Sequence, residues 1–136
     1  YGSRPNSGYV VGTSLEAALR PDGALRVEPT LLVSGQERVY AVGDLTDVRE
    51  SKRADAARAQ ARVVIANISA QLAGKAPEVQ YVPSDEWVIL PLGPEHGVSQ
   101  LLDNEGNARI LGADQTAEIK GADLMVSGIR SQLNLP

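Results

Sequence analysis

The protein has 136 residues, enough for one ordinary domain, with 43% apolar residues, 22% charged residues and a formal net charge of −4. This negative balance argues against nucleic acid as a partner, because phosphate binding draws on clustered lysine and arginine. Cysteine is absent and histidine occurs once, which excludes disulfide exchange, thiolate catalysis and metal sites built from cysteine or several histidines. No apolar run approaches the roughly 20 residues of a membrane span, so we expect a cytoplasmic protein.

The first 50 residues predict turns and short extended segments. A helical patch is expected at Ser14–Arg20, followed by the turn Pro21-Asp22-Gly23, in which proline presets φ and glycine supplies the left-handed position. Three short strands are expected, at Ala24–Val27, Leu31–Val33 and Arg38–Val42. The last of these is apolar without strict alternation and ends sharply at Gly43-Asp44, which is typical of a buried strand.

The strongest helix signal covers Ser51–Ala73. Apolar residues recur at three- and four-residue steps and predict the buried face, at Ala54, Ala57, Ala61, Val64, Ile65, Ile68 and Leu72. The polar residues between them are expected outside, at Arg58, Gln60, Arg62 and Ser69. Ser51 is expected to cap the start of the helix, and Gly74 to end it in the left-handed conformation.

The remaining residues predict a linker at Lys75–Ser84 and then a change of pattern. Three strands are expected, at Glu86–Leu92, Val98–Leu102 and Ala108–Leu111, followed by a helix over Thr116–Gly128 that continues to Leu133. The apolar residues of that helix either pack against the small sheet or form a surface that contacts a membrane or a partner; they are Leu124, Met125, Val126, Ile129 and Leu133.

The segment from Val39 to Asp44 carries the chemical signal. An acidic residue at the carboxyl end of a buried parallel strand lies where open α/β sheets bind ligands. Gly43 would allow close backbone approach, and Asp44 would accept hydrogen bonds from ligand hydroxyl groups. The following helix would direct its free N–H groups and positive dipole end at the same place. An apolar run before Gly-Asp is also a common structural turn, so the residues alone leave both interpretations open.

The order of motifs along the chain resembles a known family. Tyr1-Gly2-x-Arg4-Pro5-Asn6, Gly23-Ala24-Leu25-Arg26-Val27 and Val39-Tyr40-Ala41-Val42-Gly43-Asp44-x-x-Asp47, followed by an alanine-rich helix, are similar to the second FAD-contacting half of flavoproteins with two dinucleotide-binding domains. Within that superfamily the chain looks most like the apoptosis-inducing-factor-homologous, mitochondrion-associated group. That group includes the ferroptosis-suppressor-type NAD(P)H:quinone reductases. Two later motifs resemble the short C-terminal domain of the group: Gly97-Val98-x-Gln100 and Asp123-Leu124-x-Val126-Ser127.

This resemblance implies an α/β fold, with a partial FAD-binding, Rossmann-like segment at residues 1–76 and a small α+β C-terminal domain at 84–136. It implies that the intact protein passes hydride from NAD(P)H through FAD to a quinone-like acceptor, with no catalytic side chain and no metal. Asp44 would hold the ribityl hydroxyl groups and Gly43 would give access. Four further residues would contact FAD: Lys52, Arg53 and Ala54 at the isoalloxazine edge, and Gly2 near the diphosphate or adenosine.

One departure from the family limits what the chain is expected to do. No Gly-x-Gly-x-x-Gly fingerprint occurs, and in the family both fingerprints lie upstream of the position that matches Tyr1. We therefore expect a C-terminal fragment that is inactive alone and that self-associates, because Arg38–Val42 lacks its sheet partners. A peripheral membrane position and a stand-alone interaction or oligomerisation module remain open, as do the electron acceptor and the choice between NADH and NADPH.

Overall fold

The computed structural model describes residues 4–135 and divides after Ser84 into two compact units. The first unit contains three single-turn 3-10 helices, at Gly8–Val10, Glu16–Ala18 and Gly43–Leu45, and the long helix α1 (Ala54–Leu72). The second unit contains an antiparallel sheet of three strands, β1 (Val88–Pro91), β2 (Gly97–Leu102) and β3 (Ala108–Leu111). Two short helices follow the sheet, α2 (Ala113–Thr116) and α3 (Val126–Gln132).

The core of the first unit is small and aliphatic. Its buried members come from five separate segments: Val10, Ala18, Leu25, Val33 and Ala41. Isolated β-bridges connect four of those segments, those of Ala18, Leu25, Val33 and Ala41; they are Leu19–Leu25, Leu25–Thr46, Val27–Val33 and Leu32–Tyr40. The predicted turn at Pro21-Asp22-Gly23 is confirmed, since Gly23 has φ +90° and its N–H donates to the Arg20 carbonyl at 3.0 Å.

The strands predicted in this unit do not form as regular elements, and the helical patch at Ser14–Arg20 is a single 3-10 turn. The prediction that Arg38–Val42 is a buried strand is wrong, because Val39 and Val42 are 37% and 38% exposed. Among residues 4–135, its hydrogen-bonded neighbour is the segment 31–33, with Val33 N–H donating to the Val39 carbonyl at 2.8 Å. Val39 and Val42 are three positions apart, so their side chains point to opposite faces of the extended segment, and both reach solvent.

Helix α1 begins at Ala54, three residues later than the start predicted at Ser51. No side-chain hydrogen bond caps this start, so the prediction that Ser51 is the cap is wrong. The prediction for Gly74 is confirmed, since its φ is +74°. The Gly74 N–H donates to the Gln71 carbonyl at 3.0 Å and the Lys75 N–H to the Ala70 carbonyl at 2.9 Å, which is a Schellman ending.

The buried face of α1 is not the predicted one. Ala56, Gln60 and Asn67 are buried, and Gln60, expected outside, is only 1% exposed. Large apolar residues expected inside are exposed instead, at Ile65, Ile68 and Leu72. The reason is that the buried amides find hydrogen-bond partners on the segments beneath them, which removes the cost of burying polar groups.

Residues 75–84, predicted to be a linker, form a strap that returns along α1. The Asn67 amide bonds both backbone groups of Val79: it donates to the carbonyl at 2.8 Å and accepts from the N–H at 3.0 Å. At the end of the strap, the Arg53 guanidinium donates to the Ser84 hydroxyl at 2.9 Å. Since Arg53 precedes the first residue of α1, the strap runs from the end of the helix back to its beginning.

In the second unit the three predicted strands are confirmed as a meander. β1 pairs with β2 through Leu90 and Val98, and β2 pairs with β3 through Gln100 and Ile110. One face of this sheet is covered, since Ser99 and Leu111 are buried. The Ser99 hydroxyl is 2.8 Å from the hydroxyl of Thr116 in α2.

The continuous helix predicted from Thr116 to Leu133 is wrong. The chain continues from α2 into a π-helical turn at Ala117–Gly121 and then breaks at Leu124 and Met125, which have φ +54° and +63°. The break has a local cause: the Asp123 carboxylate accepts hydrogen bonds from the N–H groups of Met125 and Ser127, at 2.7 and 3.2 Å. Of the two alternatives for the apolar residues of this segment, packing on the sheet is wrong, and a surface for a membrane or a partner stays a prediction. All five are exposed, at Leu124, Met125, Val126, Ile129 and Leu133.

Candidate functional site

The 3-10 turn Gly43–Leu45 presents Asp44 at the surface. Gly43 adopts φ +73°, and a Cβ atom placed on it would be 3.6 Å from the Ala57 Cβ, which is an ordinary contact. The backbone conformation, and not a lack of space, is therefore what calls for glycine here. Thr46 closes the turn, since its N–H and its hydroxyl donate to the Gly43 carbonyl at 3.1 and 3.0 Å.

Helix α1 holds this turn from behind. The Gly43 N–H donates to the Gln60 Oε1 atom at 2.6 Å, and the Gln60 Nε2 atom donates to Glu50 Oε1, also at 2.6 Å. A carboxylate only accepts hydrogen bonds, so Glu50 requires the nitrogen side of the amide and leaves the oxygen side for Gly43. A buried side chain of α1 thus fixes the peptide between Val42 and Gly43, where the chain enters the turn that carries Asp44.

Tyr81 of the strap completes the same network. Its hydroxyl donates to Glu50 Oε2 at 2.7 Å, and its N–H donates to the Pro29 carbonyl at 2.8 Å. Burial, together with the hydrogen bond to the Glu50 carboxylate, raises the pKa of Tyr81 to about 12. Glu50 therefore has one donor on each oxygen, one from α1 and one from the strap.

The loop between the turn and α1 is also held by specific bonds. The Lys52 ammonium group donates to the carbonyls of Thr46 and Val48, both at 2.9 Å. The Asp47 carboxylate accepts the Val27 N–H at 3.1 Å. An ammonium group has three donors, and with partners among residues 4–135 Lys52 uses two of them, so one N–H is left for a ligand.

A cleft of about 470 Å³ lies beside the turn and the loop. Seven charged residues line it: Arg4, Arg20, Asp22, Asp44, Asp47, Arg49 and Lys52. Two of the three carboxylates are engaged, because the Arg20 guanidinium lies 3.3 Å from Asp22 and 3.7 Å from Asp47. The Ala24 N–H, followed by Arg20, lowers the pKa of Asp22.

Asp44 differs from the other two carboxylates of the cleft. Within residues 4–135 no hydrogen bond or ion pair engages its side chain, although it is surface-exposed and lines the cleft. The cleft therefore offers one unengaged acceptor among several cations. This combination suits a ligand that has both hydroxyl donors and anionic groups.

The structure separates the residues that the sequence grouped as contacts of one ligand. Asp44 and Lys52 line the cleft, and Gly43 forms the turn behind Asp44. Arg53 and Ala54 are not among the described residues that line it; Arg53 contacts Asp55 and Ser84, and Ala54 is the first residue of α1. Gly2 lies outside the described residues. Contacts with a cofactor stay predictions for all six residues.

Sequence reasoning missed Glu50, Gln60 and Tyr81, which position the turn. A signal for Gln60 was present: Gln60 follows Ala56 by four residues and precedes Asn67 by seven, which is helical spacing for one face. For Glu50 and Tyr81 no local pattern exists, because the two residues are 31 positions apart.

Within residues 4–135, no helix is long and apolar enough to cross a membrane. The same range contains no group of three or more histidine, aspartate or glutamate residues that could hold a metal ion.

Comparison with curated proteins shows what the chain is related to. It is 34% identical over 126 residues to ferroptosis suppressor protein 1 of Taeniopygia guttata, covering 89% of the chain and 32% of that protein. It is 32% identical over 120 residues to apoptosis-inducing factor homolog B of Dictyostelium discoideum, covering 87% and 30%. An FAD-dependent oxidoreductase of Flammulina velutipes is 28% identical over 130 residues, covering 96% and 40%.

The chain is a homologue of these three proteins, one of which is an FAD-dependent oxidoreductase. The resemblance inferred from the Gly-Asp segment and its neighbours is thereby confirmed. The chain spans about a third of the length of the curated relatives it matches, between 30% and 40% of the three named above. No family model matches the chain.

Replacing Gln60 tests the anchoring of the turn. Gln60→Leu keeps the side-chain volume but leaves the Gly43 N–H and one Glu50 oxygen without their partner. We expect the free energy of unfolding to fall by about 2 kcal/mol, within the range for an unsatisfied buried group. Urea denaturation, followed by the circular dichroism of α1, measures this change in the free energy of unfolding.

Gln80→Leu, at an exposed position of the strap, is the matched control and should change stability by less than about 0.5 kcal/mol. Equal stability of Gln60→Leu and wild type would contradict the anchoring.

The raised pKa of Tyr81 predicts a pH dependence. The pKa is about 12 in the folded protein against 10.0 for a free tyrosine. Between these values the folded state binds more protons than the unfolded state, so stability that is present below pH 10 is lost as the pH rises. Tyr81→Phe removes this contribution.

Urea denaturation at pH 9 and pH 11 measures the difference. Wild type should lose more stability between the two values than Tyr81→Phe. Tyr40, whose pKa burial also raises, is common to both proteins and cancels. Tyr9→Phe, at a residue 68% exposed, should behave as wild type does. A Tyr81→Phe protein with the wild-type pH dependence would show that the hydroxyl makes no such contribution.

Proposed function

We propose that this chain is the C-terminal, cofactor-contacting part of an FAD-dependent NAD(P)H oxidoreductase that passes hydride to a quinone-like acceptor. The observation that carries the proposal is the unengaged Asp44 carboxylate, held in a charged cleft by a turn that α1 anchors. Homology to ferroptosis suppressor protein 1 and to an FAD-dependent oxidoreductase supports it.

The residues of the cleft fit the chemistry of FAD. A ribityl chain presents hydroxyl donors, and Asp44 is the carboxylate of the cleft that is open to accept them. Lys52 keeps one N–H for a carbonyl or an anionic atom of the ligand. Arg4 and Arg49 add cations at the cleft, which suits the diphosphate of a dinucleotide. The cleft thus brings together a hydrogen-bond acceptor, a hydrogen-bond donor and cations, which are the groups needed to bind the hydroxyl groups and the diphosphate of FAD.

The extended segment 38–42 supports a Rossmann-like context in the intact protein. Val39 and Val42 are exposed, and within residues 4–135 its hydrogen-bonded partner is the segment 31–33. A parallel sheet supplied by the rest of the protein, covered on both faces as such sheets are, would bury both valines. It would also place Asp44 at the carboxyl end of a strand, where such sheets bind ligands.

Bound FAD would accept hydride from NAD(P)H and give up electrons to the acceptor. The side chains of this chain bind and orient: Asp44 accepts hydrogen bonds, Lys52 donates one, and Gln60 keeps the turn in place. None of them is required as a nucleophile or a metal ligand. We also propose that the protein is cytoplasmic and that it can bind peripherally to a membrane surface.

Asp44 gives the most direct test of cofactor binding. In the complete protein that contains this chain, Asp44→Ala should raise the dissociation constant for FAD at least about tenfold, since a hydrogen bond to a charged group contributes about 1.5–3 kcal/mol. Quenching of FAD fluorescence by the apoprotein measures the constant. Glu37→Ala, at an exposed carboxylate that does not line the cleft, should stay within twofold of wild type. A normal constant for Asp44→Ala would contradict the proposal.

The 136-residue chain by itself tests the expectation that it is a fragment. We propose that it does not retain FAD and that it self-associates, because large apolar side chains are exposed on α1, at Ile65, Ile68 and Leu72. Gel filtration after addition of FAD should give colourless protein, and light scattering at tens of micromolar should give more than the monomer mass.

These two readouts also test the alternative function. The exposed apolar residues of α1 favour a stand-alone interaction module, which would self-associate without any relation to FAD. Stoichiometric flavin on the isolated chain would contradict the fragment interpretation, and a clean monomer would contradict self-association. A complete protein that binds no FAD while the chain still oligomerises would favour the interaction module.

A further inference from the structure

A line of three hydrogen bonds connects the strap to the turn that presents Asp44. Tyr81 donates to Glu50 at 2.7 Å, Gln60 donates to the other oxygen of Glu50 at 2.6 Å, and the Gly43 N–H donates to Gln60 at 2.6 Å. None of Tyr81, Glu50 and Gln60 is among the described residues that line the cleft. They are therefore placed to act on the site through the turn, without touching a ligand.

Glu50 sets the direction of every bond in this line. Its two oxygens accept, one from the phenol and one from the amide, so the Gln60 oxygen must face Gly43. Without the Tyr81 hydroxyl, one carboxylate oxygen would lose its donor and the side chain could rotate. The Gln60 amide would then lose the partner that fixes its orientation, and the Gly43 N–H would lose its acceptor.

At the C-terminal end of the turn, the Leu45 carbonyl accepts the Leu25 N–H at 2.7 Å. Gly43 adopts φ +73°, which a glycine leaves easily. On its carbonyl side the turn is closed by Thr46. On its N–H side, within residues 4–135, Gln60 is the acceptor. The turn is thus held at its C-terminal end by Leu25, and the conformation of Gly43, directly before Asp44, depends on whether Gln60 is correctly oriented.

We propose that Tyr81 and Glu50 are positioning residues for the cofactor: by orienting Gln60 they hold the Gly43–Asp44 turn in the conformation that binds the ligand's hydroxyl groups. This inference rests on the proposed function, since it requires Asp44 to contact FAD. It assigns the strap a role in cofactor affinity, although the strap lies 31 residues beyond Glu50 in the sequence.

A general structural role for Tyr81 would predict something different. If the hydroxyl only stabilised the first unit, its loss would weaken FAD binding by the same factor whether or not Asp44 is present. If it acts through the turn, its loss matters only while the Asp44 carboxylate is there to be positioned. A double-mutant cycle separates the two, because coupling between two sites is measured directly as non-additivity.

The experiment measures FAD dissociation constants of the complete apoprotein by fluorescence quenching. The variants are Tyr81→Phe, Glu50→Gln and Asp44→Ala, with each of the first two also combined with Asp44→Ala. Tyr81→Phe keeps the ring, and Glu50→Gln keeps the side-chain size while removing one acceptor, so at least one of the two is expected to fold. Tyr9→Phe, exposed and away from the cleft, is the matched control and should leave the constant unchanged.

We expect Tyr81→Phe and Glu50→Gln each to raise the constant about fivefold, the size of one ordinary hydrogen bond. In the Asp44→Ala background each should change it by less than about twofold, because the group they position is gone. Equal factors in both backgrounds would overturn the inference, and so would wild-type affinity of both single variants while Asp44→Ala binds weakly. In those cases the proposed function stands. Wild-type affinity of Asp44→Ala would instead remove the proposed function and the inference with it.

Discussion

The hydrogen bond from the Gly43 N–H to the Gln60 side chain, inside the first unit, is the contact on which the candidate site depends. A backbone N–H and an amide buried together must satisfy each other or carry an uncompensated cost. Because Gln60 also bonds Glu50, and Glu50 bonds Tyr81, one polar line joins the turn, α1 and the strap. Gln60 of this line, together with Asn67, lies on the buried face of α1, so the packing of the helix and the placement of Asp44 are linked.

Local sequence predicted the elements whose determinants are local. The helix end at Gly74 and the three strands after residue 85 follow from glycine chemistry and apolar runs, and the structure has them. The buried face of α1 could not be predicted, because apolar periodicity at Ile65 and Ile68 says nothing about which buried amides find partners. Arg38–Val42 needs neighbouring strands to be a strand, and the helix after Thr116 is broken by the Asp123 side chain.

The residues of the candidate site also fall into two groups, those that local sequence could predict and those that it could not. Asp44 and Lys52 follow one apolar run and could be read from it, and both line the cleft. Glu50, Gln60 and Tyr81 meet across 10 and 31 positions, so their association exists only in the folded chain. Charges of both signs meet at the cleft, and among residues 4–135 nothing engages Asp44, which suits the ligand-binding role proposed above.

A crystal structure of the complete protein with FAD bound would test the central claim most directly. The distance from the Asp44 carboxylate to the ribityl hydroxyl groups decides it. The account predicts that at least one such oxygen pair lies within about 3.0 Å, the range of a hydrogen bond to a hydroxyl, with the Gly43 N–H still directed at Gln60. A ribityl chain bound elsewhere, with Asp44 facing solvent, would contradict it.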